Sequence, residues 1–167
     1  MANSNENLQS AFAGESQASR KYLYFSEKAD KDNQPQIAKL FRAASDAETV
    51  HARNHLKAMN GIGSVGDNLK TAIGGEHYEF TEMYPGFIDQ ASAEKNAKAV
   101  TTFNWANKVE KIHHALYEQA LKDLDMGKKR ENKPFWVCQN CGNTVEGDAP
   151  DVCPICNMPK SWFKRID

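Results

Sequence analysis

Apolar residues recur at helical spacing in four stretches between residues 5 and 126. The first stripe runs Leu8, Phe12, Glu15, Ser19, Tyr22, Ser26, and the second Ile37, Phe41, Ala44, Glu48, His51, His55. The third runs Leu69, Ile73, Glu76, Phe80, Met83, Phe87, with Glu79 one turn beyond Glu76. The fourth runs Phe103, Asn107, Glu110, His113 or His114, Tyr117, Leu121, Leu124. The pattern breaks near Asp32-Asn33-Gln34-Pro35, from Gly61 to Gly66, and around Ser92-Ala93-Glu94. Four helices with short connections predict an all-α four-helix bundle.

Each stripe carries a glutamate near its middle, where a bundle core calls for Leu or Ile. A buried, unpaired carboxylate costs on the order of several kcal/mol. One such group could be a protonated acid or half of an ion pair. Four at matching depths require a shared cation, and the inner faces hold no Lys or Arg to supply it. Glu48-Thr49-Val50-His51 and Glu110-Lys111-Ile112-His113 place a Glu and a His three apart, on one helical face and within reach of one metal. Helices one and three add Glu15 and Glu76/Glu79. One Glu from each of two helices, with Glu-x-x-His from each of the other two, is the ligand pattern of di-iron and di-manganese bundles. Glu82 drifts further around the third helix and reads as a neighbour of the site or a surface group. His55, His77 and His114 read as polar contacts or exposed groups.

The last part of the chain differs in composition. All four cysteines lie between 138 and 156, and four of the six prolines fall from Pro134 onward. The charged stretch from Gly127 to Lys133 reads as a linker, which divides the chain into a helical domain over 1–132 and a small domain over 133–167. Cys138-Gln139-Asn140-Cys141-Gly142 and Cys153-Pro154-Ile155-Cys156-Asn157 are two Cys-x-x-Cys pairs, eleven residues apart, each followed by a residue suited to a left-handed turn. Four thiolates so spaced make a tetrahedral site for zinc or a single iron. Disulfides and a structural zinc ribbon are the alternatives. Phe135, Trp136, Trp162 and Phe163 would supply an aromatic core too small to fold ~35 residues without the metal.

The formal net charge of −1 argues against a nucleic-acid partner. No apolar run approaches the ~20 residues that span a bilayer. The N-terminal Met1-Ala2-Asn3-Ser4-Asn5-Glu6 lacks the features of a signal peptide, so the expected location is the cytoplasm. Gly61-Ile62-Gly63-Ser64-Val65-Gly66 matches the dinucleotide fingerprint, but no strand precedes it; it reads as an interhelical loop.

The segments Ala11-Phe12-Ala13-Gly14-Glu15-Ser16-Gln17-Ala18, Glu48-x-x-His51, Gly75-Glu76-His77-Tyr78-Glu79 with Met83-Tyr84-Pro85, Glu110-x-x-His113 and the four-cysteine tail together resemble the rubrerythrins, in order and over essentially the whole chain. The resemblance implies a ferritin-like bundle with a rubredoxin-like C-terminal domain. It implies di-iron ligands at Glu15, Glu48, Glu76, Glu79, Glu110 and His113, with His51 alternating with Glu79 on one iron as the redox state changes. Tyr22 and Tyr84 look like the family's tyrosines beside the cluster. Cys138, Cys141, Cys153 and Cys156 look like ligands of a third iron, with zinc as a substitute. The implied activity is reduction of hydrogen peroxide to water, with electrons from an external reductase or rubredoxin. A ferroxidase or iron-sequestering protein is the alternative enzyme-class reading, and a structural metalloprotein the non-enzymatic one.

The second loop adds an expectation about assembly. In a ferritin-like bundle helices two and three run parallel, so their connection must return along the bundle. Glu48 to Asn60 rises ~18 Å and Asp67 to Glu76 ~13 Å. Seven steps of extended chain reach ~25 Å, short of the ~31 Å required. Either a helix ends early and there is no swap, or the second half packs on another chain; the favoured form is a homodimer swapped between helices two and three, in which Glu15, Glu48 and His51 meet Glu76, Glu79, Glu110 and His113 of the partner.

Overall fold

The computed structural model describes residues 3–167; residues 1 and 2, where the N-terminal segment read above begins, lie outside it. The chain forms two compact units, Met1–Gly63 and Ser64–Asp167. The first is an antiparallel pair of helices, α1 (Ser4–Lys31) and α2 (Pro35–Ala58). The second begins with α3 (Val65–Tyr78), passes through a π-helical segment (Glu79–Met83) into α4 (Tyr84–Ala93), and returns as α5 (Ala97–Asp125). It ends in a three-stranded antiparallel sheet, β1 (Phe135–Cys138), β2 (Thr144–Glu146) and β3 (Phe163–Ile166), ordered β2-β1-β3. The chain is thus all-α in its first four-fifths, a ferritin-like set of four helical segments followed by a small rubredoxin-like domain. Among the described residues no helix is long and apolar enough to cross a membrane.

Local sequence sets the helix ends. Asn3 and Glu6 form a reciprocal capping box at the start of α1: the Asn3 side chain accepts from the Glu6 N–H at 3.0 Å, and Glu6 Oε2 accepts from the Asn3 N–H at 2.9 Å. Pro35 opens α2, where its missing N–H costs nothing. All four helical stretches stop the same way, with a left-handed residue (Asn33, Asn60, Lys95, Gly127) and a backbone bond from the next N–H to a carbonyl five residues back. Lys95 is the unusual member, since a long side chain at φ +57° is strained where glycine or asparagine is at ease.

Packing within each helical pair is led by small residues. Ser19, Ser26, Ala29, Ala38 and Ala52 are buried in the first pair, and Ser45 Oγ donates across it to the Ser19 carbonyl at 2.7 Å. The sequence stripes place Ile37, Phe87, Tyr117 and Leu124 inward as well, yet they remain exposed. The stripe on a bundle helix is at least ~100° wide, more than one antiparallel neighbour can cover.

The third helix also departs from its predicted form. A uniform 3.6-residue period runs through Leu69–Phe87 in the sequence reading. The structure widens one turn at Glu79–Met83, where the Tyr84 N–H bonds the Glu79 carbonyl five residues back. Pro85 follows at once; it has no N–H, and its ring would clash with a carbonyl four residues back, so local unwinding relieves the helix there.

In the cysteine domain the register sets Cys138 opposite Phe163, and Trp136 between Val145 and Arg165. The core is Cys138, Ala149, Cys153, Cys156 and Phe163, joined by Trp136 and by Trp105 from α5. The four-aromatic core expected from sequence is corrected here. Trp162 is exposed, Phe135 lies outside the cluster, and the missing apolar cover comes from Trp105.

Candidate metal centre

Each helical pair gathers one Glu and one Glu-x-x-His. In the first, Glu15 from α1 meets Glu48 and His51 from α2; His51 Nδ1 lies 2.8 Å from Glu48 Oε2 and 3.9 Å from Glu15 Oε1. In the second, Glu76 from α3 meets Glu110 and His113 from α5; His113 Nδ1 lies 2.7 Å from Glu110 Oε2 and 3.7 Å from Glu76 Oε1. The two constellations match to within about 0.2 Å because a three-residue step on a helix brings both side chains to one face.

The likeness extends beyond the acids, in a repeat the sequence stripes do not isolate. Tyr22 packs on Phe25 and Phe41 with ring centroids 6.3 and 6.2 Å apart, and Phe25 on Phe41 at 5.6 Å. Tyr84, Phe87 and Phe103 repeat the triangle with 6.3, 6.2 and 5.6 Å. Phe41 precedes Glu48 by seven residues, and Phe103 precedes Glu110 by seven. Glu15 precedes Tyr22 by seven, but Glu76 precedes Tyr84 by eight. The extra residue is the one absorbed by the π segment, which starts at Glu79. Aligning the chain on Glu…Tyr-x-x-Phe and Phe…Glu-x-x-His would have exposed both repeat and insertion. π segments of this kind occur frequently at functional sites.

The electrostatics of both sets call for a cation. Their side chains are partly shielded, from 15% exposed at Glu110 to 30% at Glu15, with His51 the open member at 54%. Among the described residues no Lys or Arg pairs with any of the four glutamates. Burial, then the neighbouring Glu110 charge, pushes the Glu76 carboxyl up to about 7. Burial and Glu110 raise Glu79 too, and a hydrogen bond to Glu48 raises Glu15. The His113 imidazole is raised by its hydrogen bond to Glu110. Tyr84 is raised by burial and by Glu79, Glu110 and Glu76 in turn, so its phenol keeps its proton beside the carboxylates. Glutamates whose proton affinity is raised by burial and by one another, with no counter-charge beside them, are groups a metal ion would ionise. Glu82 carries no ion pair among the described residues. His77 and His114 pack together and on Phe80, 5.4 Å apart, away from any three-ligand group.

The four cysteines form the second site. Cys138 and Cys156 Sγ are 3.6 Å apart, as are Cys141 and Cys153 Sγ, and all four lie within 4.8 Å of one another. A tetrahedron with ~2.3 Å metal–sulfur bonds has edges of about 3.8 Å, so the sulfurs are spaced for one ion and too far apart for a disulfide. Gly142 (φ +82°) and Asn157 (φ +60°) adopt the left-handed turns expected after each pair. Burial raises the Cys138 and Cys141 thiols. It opposes ionisation of Cys156 as well, but the nearby Asn140 amide and Met158 N–H bring that thiol down to about 7.

Two features of this unit escaped the sequence reading. His113 Nε2 lies 2.8 Å from Thr144 Oγ1 on β2. Arg130, within the linker, bridges buried Asp123 of α5 at 3.1 Å and Glu146 of β2 at 2.7 Å. Neither residue type announces such a role in sequence.

Comparison with known proteins agrees with this geometry. A family model described as Rubrerythrin matches residues 6–121, and one described as Rubrerythrin, rubredoxin-like domain, matches residues 136–164. Rubrerythrin-2 of Clostridium acetobutylicum is 33% identical, covering 95% of this chain and 94% of that one. Rubrerythrin of Nitratidesulfovibrio vulgaris is 34% identical over 96% of this chain and 93% of its own, and nigerythrin of the same organism 35% over 95% and 84%. Among solved structures, fully reduced, all-ferrous nigerythrin matches with a TM-score of 0.59 and 33% identity, covering 99% of this chain and 88% of that chain.

Proposed function

The chain belongs to the rubrerythrin family, and we propose that within it the chain is a non-haem di-iron peroxidase reducing hydrogen peroxide to water. The observation that carries this reading is the presence in one chain of two matched Glu and Glu-x-x-His sets together with a tetrathiolate site. A ferroxidase would use the first feature and leave the second without a purpose. Glu15, Glu48, His51, Glu76, Glu79, Glu110 and His113 would hold two irons, and Cys138, Cys141, Cys153 and Cys156 would hold a third, with zinc as the substitute. When bound, the paired irons supply the two electrons consumed in H2O2 + 2 H⁺ + 2 e⁻ → 2 H2O, and the thiolate-held iron returns them singly from an external reductase or rubredoxin.

The protein's own groups set the conditions for that exchange. The five carboxylates would offset the positive charge that grows on oxidation. Glu79, at the head of the π segment, and His51 would be the two ligands that alternate on one metal ion. The Tyr84 hydroxyl, kept protonated by burial and by the acids around it, would hold a proton beside the substrate, with Tyr22 its counterpart in the other pair. A reducing compartment such as the cytoplasm would keep the four thiols free. Glu110→Ala should abolish peroxide turnover by iron-loaded protein with a reduced donor; full turnover would refute the assignment. Iron in the tail should give thiolate-to-ferric absorption, and a site that takes only zinc would remove the relay.

The short second loop supports assembly of each cluster from two chains. Helix α2 ends at Ala58 and α3 begins at Val65. The rise from Glu48 to Ala58 and from Val65 to Glu76 totals ~31 Å, against ~25 Å for seven extended steps. In a swapped homodimer, co-expressed Glu48→Ala and Glu110→Ala chains regain activity, because one of the two clusters draws only on intact halves. If each cluster lies within one chain, the mixture stays as inactive as either variant.

A further inference from the structure

We infer that Thr144, a residue of the cysteine domain, is a positioning residue for His113: its hydroxyl oxygen holds the Nε2–H and so commits Nδ1 to the metal. The inference rests on the reading of His113 as a ligand. It follows from counting hydrogens. Thr144 Oγ1 lies 3.0 Å from the Gly142 carbonyl oxygen and 2.8 Å from His113 Nε2. A carbonyl oxygen can only accept, so the single hydroxyl hydrogen goes to Gly142. The oxygen then presents lone pairs to the imidazole, and the hydrogen of that contact must come from Nε2. A neutral imidazole has one N–H, so Nδ1 is the nitrogen left to offer a lone pair; in the metal-free chain a proton bridges it to Glu110 Oε2 at 2.7 Å, with Glu76 Oε1 at 3.7 Å, and a metal ion would take that proton's place.

The surroundings make the clamp rigid. Thr144 is the first residue of β2, paired to Val137 of β1. Gly142 is held by its N–H bond to the Cys138 carbonyl and sits against Val109, buried one residue before Glu110. The preceding Asn143 is buried, with its amide directed at Cys153 Sγ at 3.8 Å. A single three-residue segment therefore touches both candidate metal sites. Among the described residues no hydroxyl meets Nε2 of His51, the matching histidine of the first pair, and that ring is twice as exposed as His113. The repeat is thus asymmetric in its second contacts: among the described residues a hydroxyl clamps His113 and none clamps His51.

The test uses the full chain with ¹⁵N-labelled histidine and zinc(II) as a diamagnetic probe. In the wild type, long-range ¹H–¹⁵N correlation should show His113 bound through Nδ1, with a slowly exchanging proton on Nε2. Thr144→Val removes the acceptor at constant shape. It should speed Nε2–H exchange at least tenfold and weaken zinc binding at the glutamate site about tenfold, the usual cost of losing such a partner. Thr144→Ser should restore both, and cobalt(II) absorption of the tetrathiolate site should be the same in all three. Zinc on Nε2 in the wild type overturns the proposal whether or not the valine variant folds. So does a valine variant with unchanged exchange and affinity. A His113 signal untouched by zinc overturns instead the reading of His113 as a ligand.

Discussion

Titration of the metal-free protein should reveal its acid cluster as a stability slope of unusual sign. The carboxyl of Glu76 rises from the ordinary 4.5 of a glutamate to about 7 in the folded chain, first through burial and then through the Glu110 charge. Between those two values the folded state binds the proton and the unfolded chain does not. The contribution is therefore complete below pH 4.5 and is lost as pH rises through about 7. Raised His113 acts in the same direction, with stability present below its ordinary 6.5 and lost as pH passes its folded value. Asp67 and Glu131, which are lowered, act with the opposite sign but only near and below pH 4.5. The full interval at Glu76 would be worth about 3 kcal/mol. Its side chain is 18% exposed and partly screened, which brings the expected effect to about 1–2 kcal/mol. For a chain of this size that is a fall in Tm of roughly 3–6 °C from pH 5 to pH 8. Thermal unfolding of chelator-treated wild type and Glu76→Gln across this range measures it. The amide cannot ionise, so the variant should lose most of the slope, and saturating zinc should remove or invert it in the wild type. A wild-type Tm that is flat or rises with pH, or a variant with the same slope, would show that these acids are not held protonated by one another.

Three further expectations concern the fold around the sites. Arg130→Met leaves the Asp123 carboxylate, 6% exposed, with Lys128 at 3.5 Å as its remaining cation, and should cost about 2 kcal/mol in denaturant unfolding; adding Asp123→Asn should recover part of that loss, and strict additivity would argue against the pair. Stripping the tetrathiolate metal should unfold residues 135–166, seen in Trp136 fluorescence, while helical circular dichroism persists; an unchanged Trp136 signal would mean the small core stands alone. Lys95→Gly should raise stability by about 0.5 kcal/mol by relieving the left-handed backbone at φ +57°, and a decrease would place that lysine in a contact the backbone argument omits.

What could be read in advance depended on the range of the determining interaction. The breaks between helices, near Asp32-Asn33-Gln34-Pro35, from Gly61 to Gly66 and around Ser92-Ala93-Glu94, were legible because each rests on neighbours in sequence; the Asn3–Glu6 cap and the left-handed Lys95 were not read there. The Glu-x-x-His sets and the Cys-x-x-Cys pairs were legible for the same reason, since fixed short spacings put their atoms within bonding distance of one ion. Three things were not. The π segment looks like ordinary helix in any single stretch, and only comparison of Glu15–Tyr22 with Glu76–Tyr84 shows the added residue. Trp105 reads as one more apolar position of α5, although its partners lie thirty or more residues later. Thr144 and Arg130 carry no pattern at all, because a hydroxyl or a guanidinium becomes specific only through the group brought against it. The asymmetry that matters for chemistry lies in this second class. Sequence presents two similar ligand sets, whereas the fold sets the Thr144 hydroxyl against His113 and, among the described residues, none against His51, and puts Glu79 at the head of the π segment. Under the proposed function, a site that holds two ions and lets one ligand exchange would draw this inequality from residues outside the repeated motif.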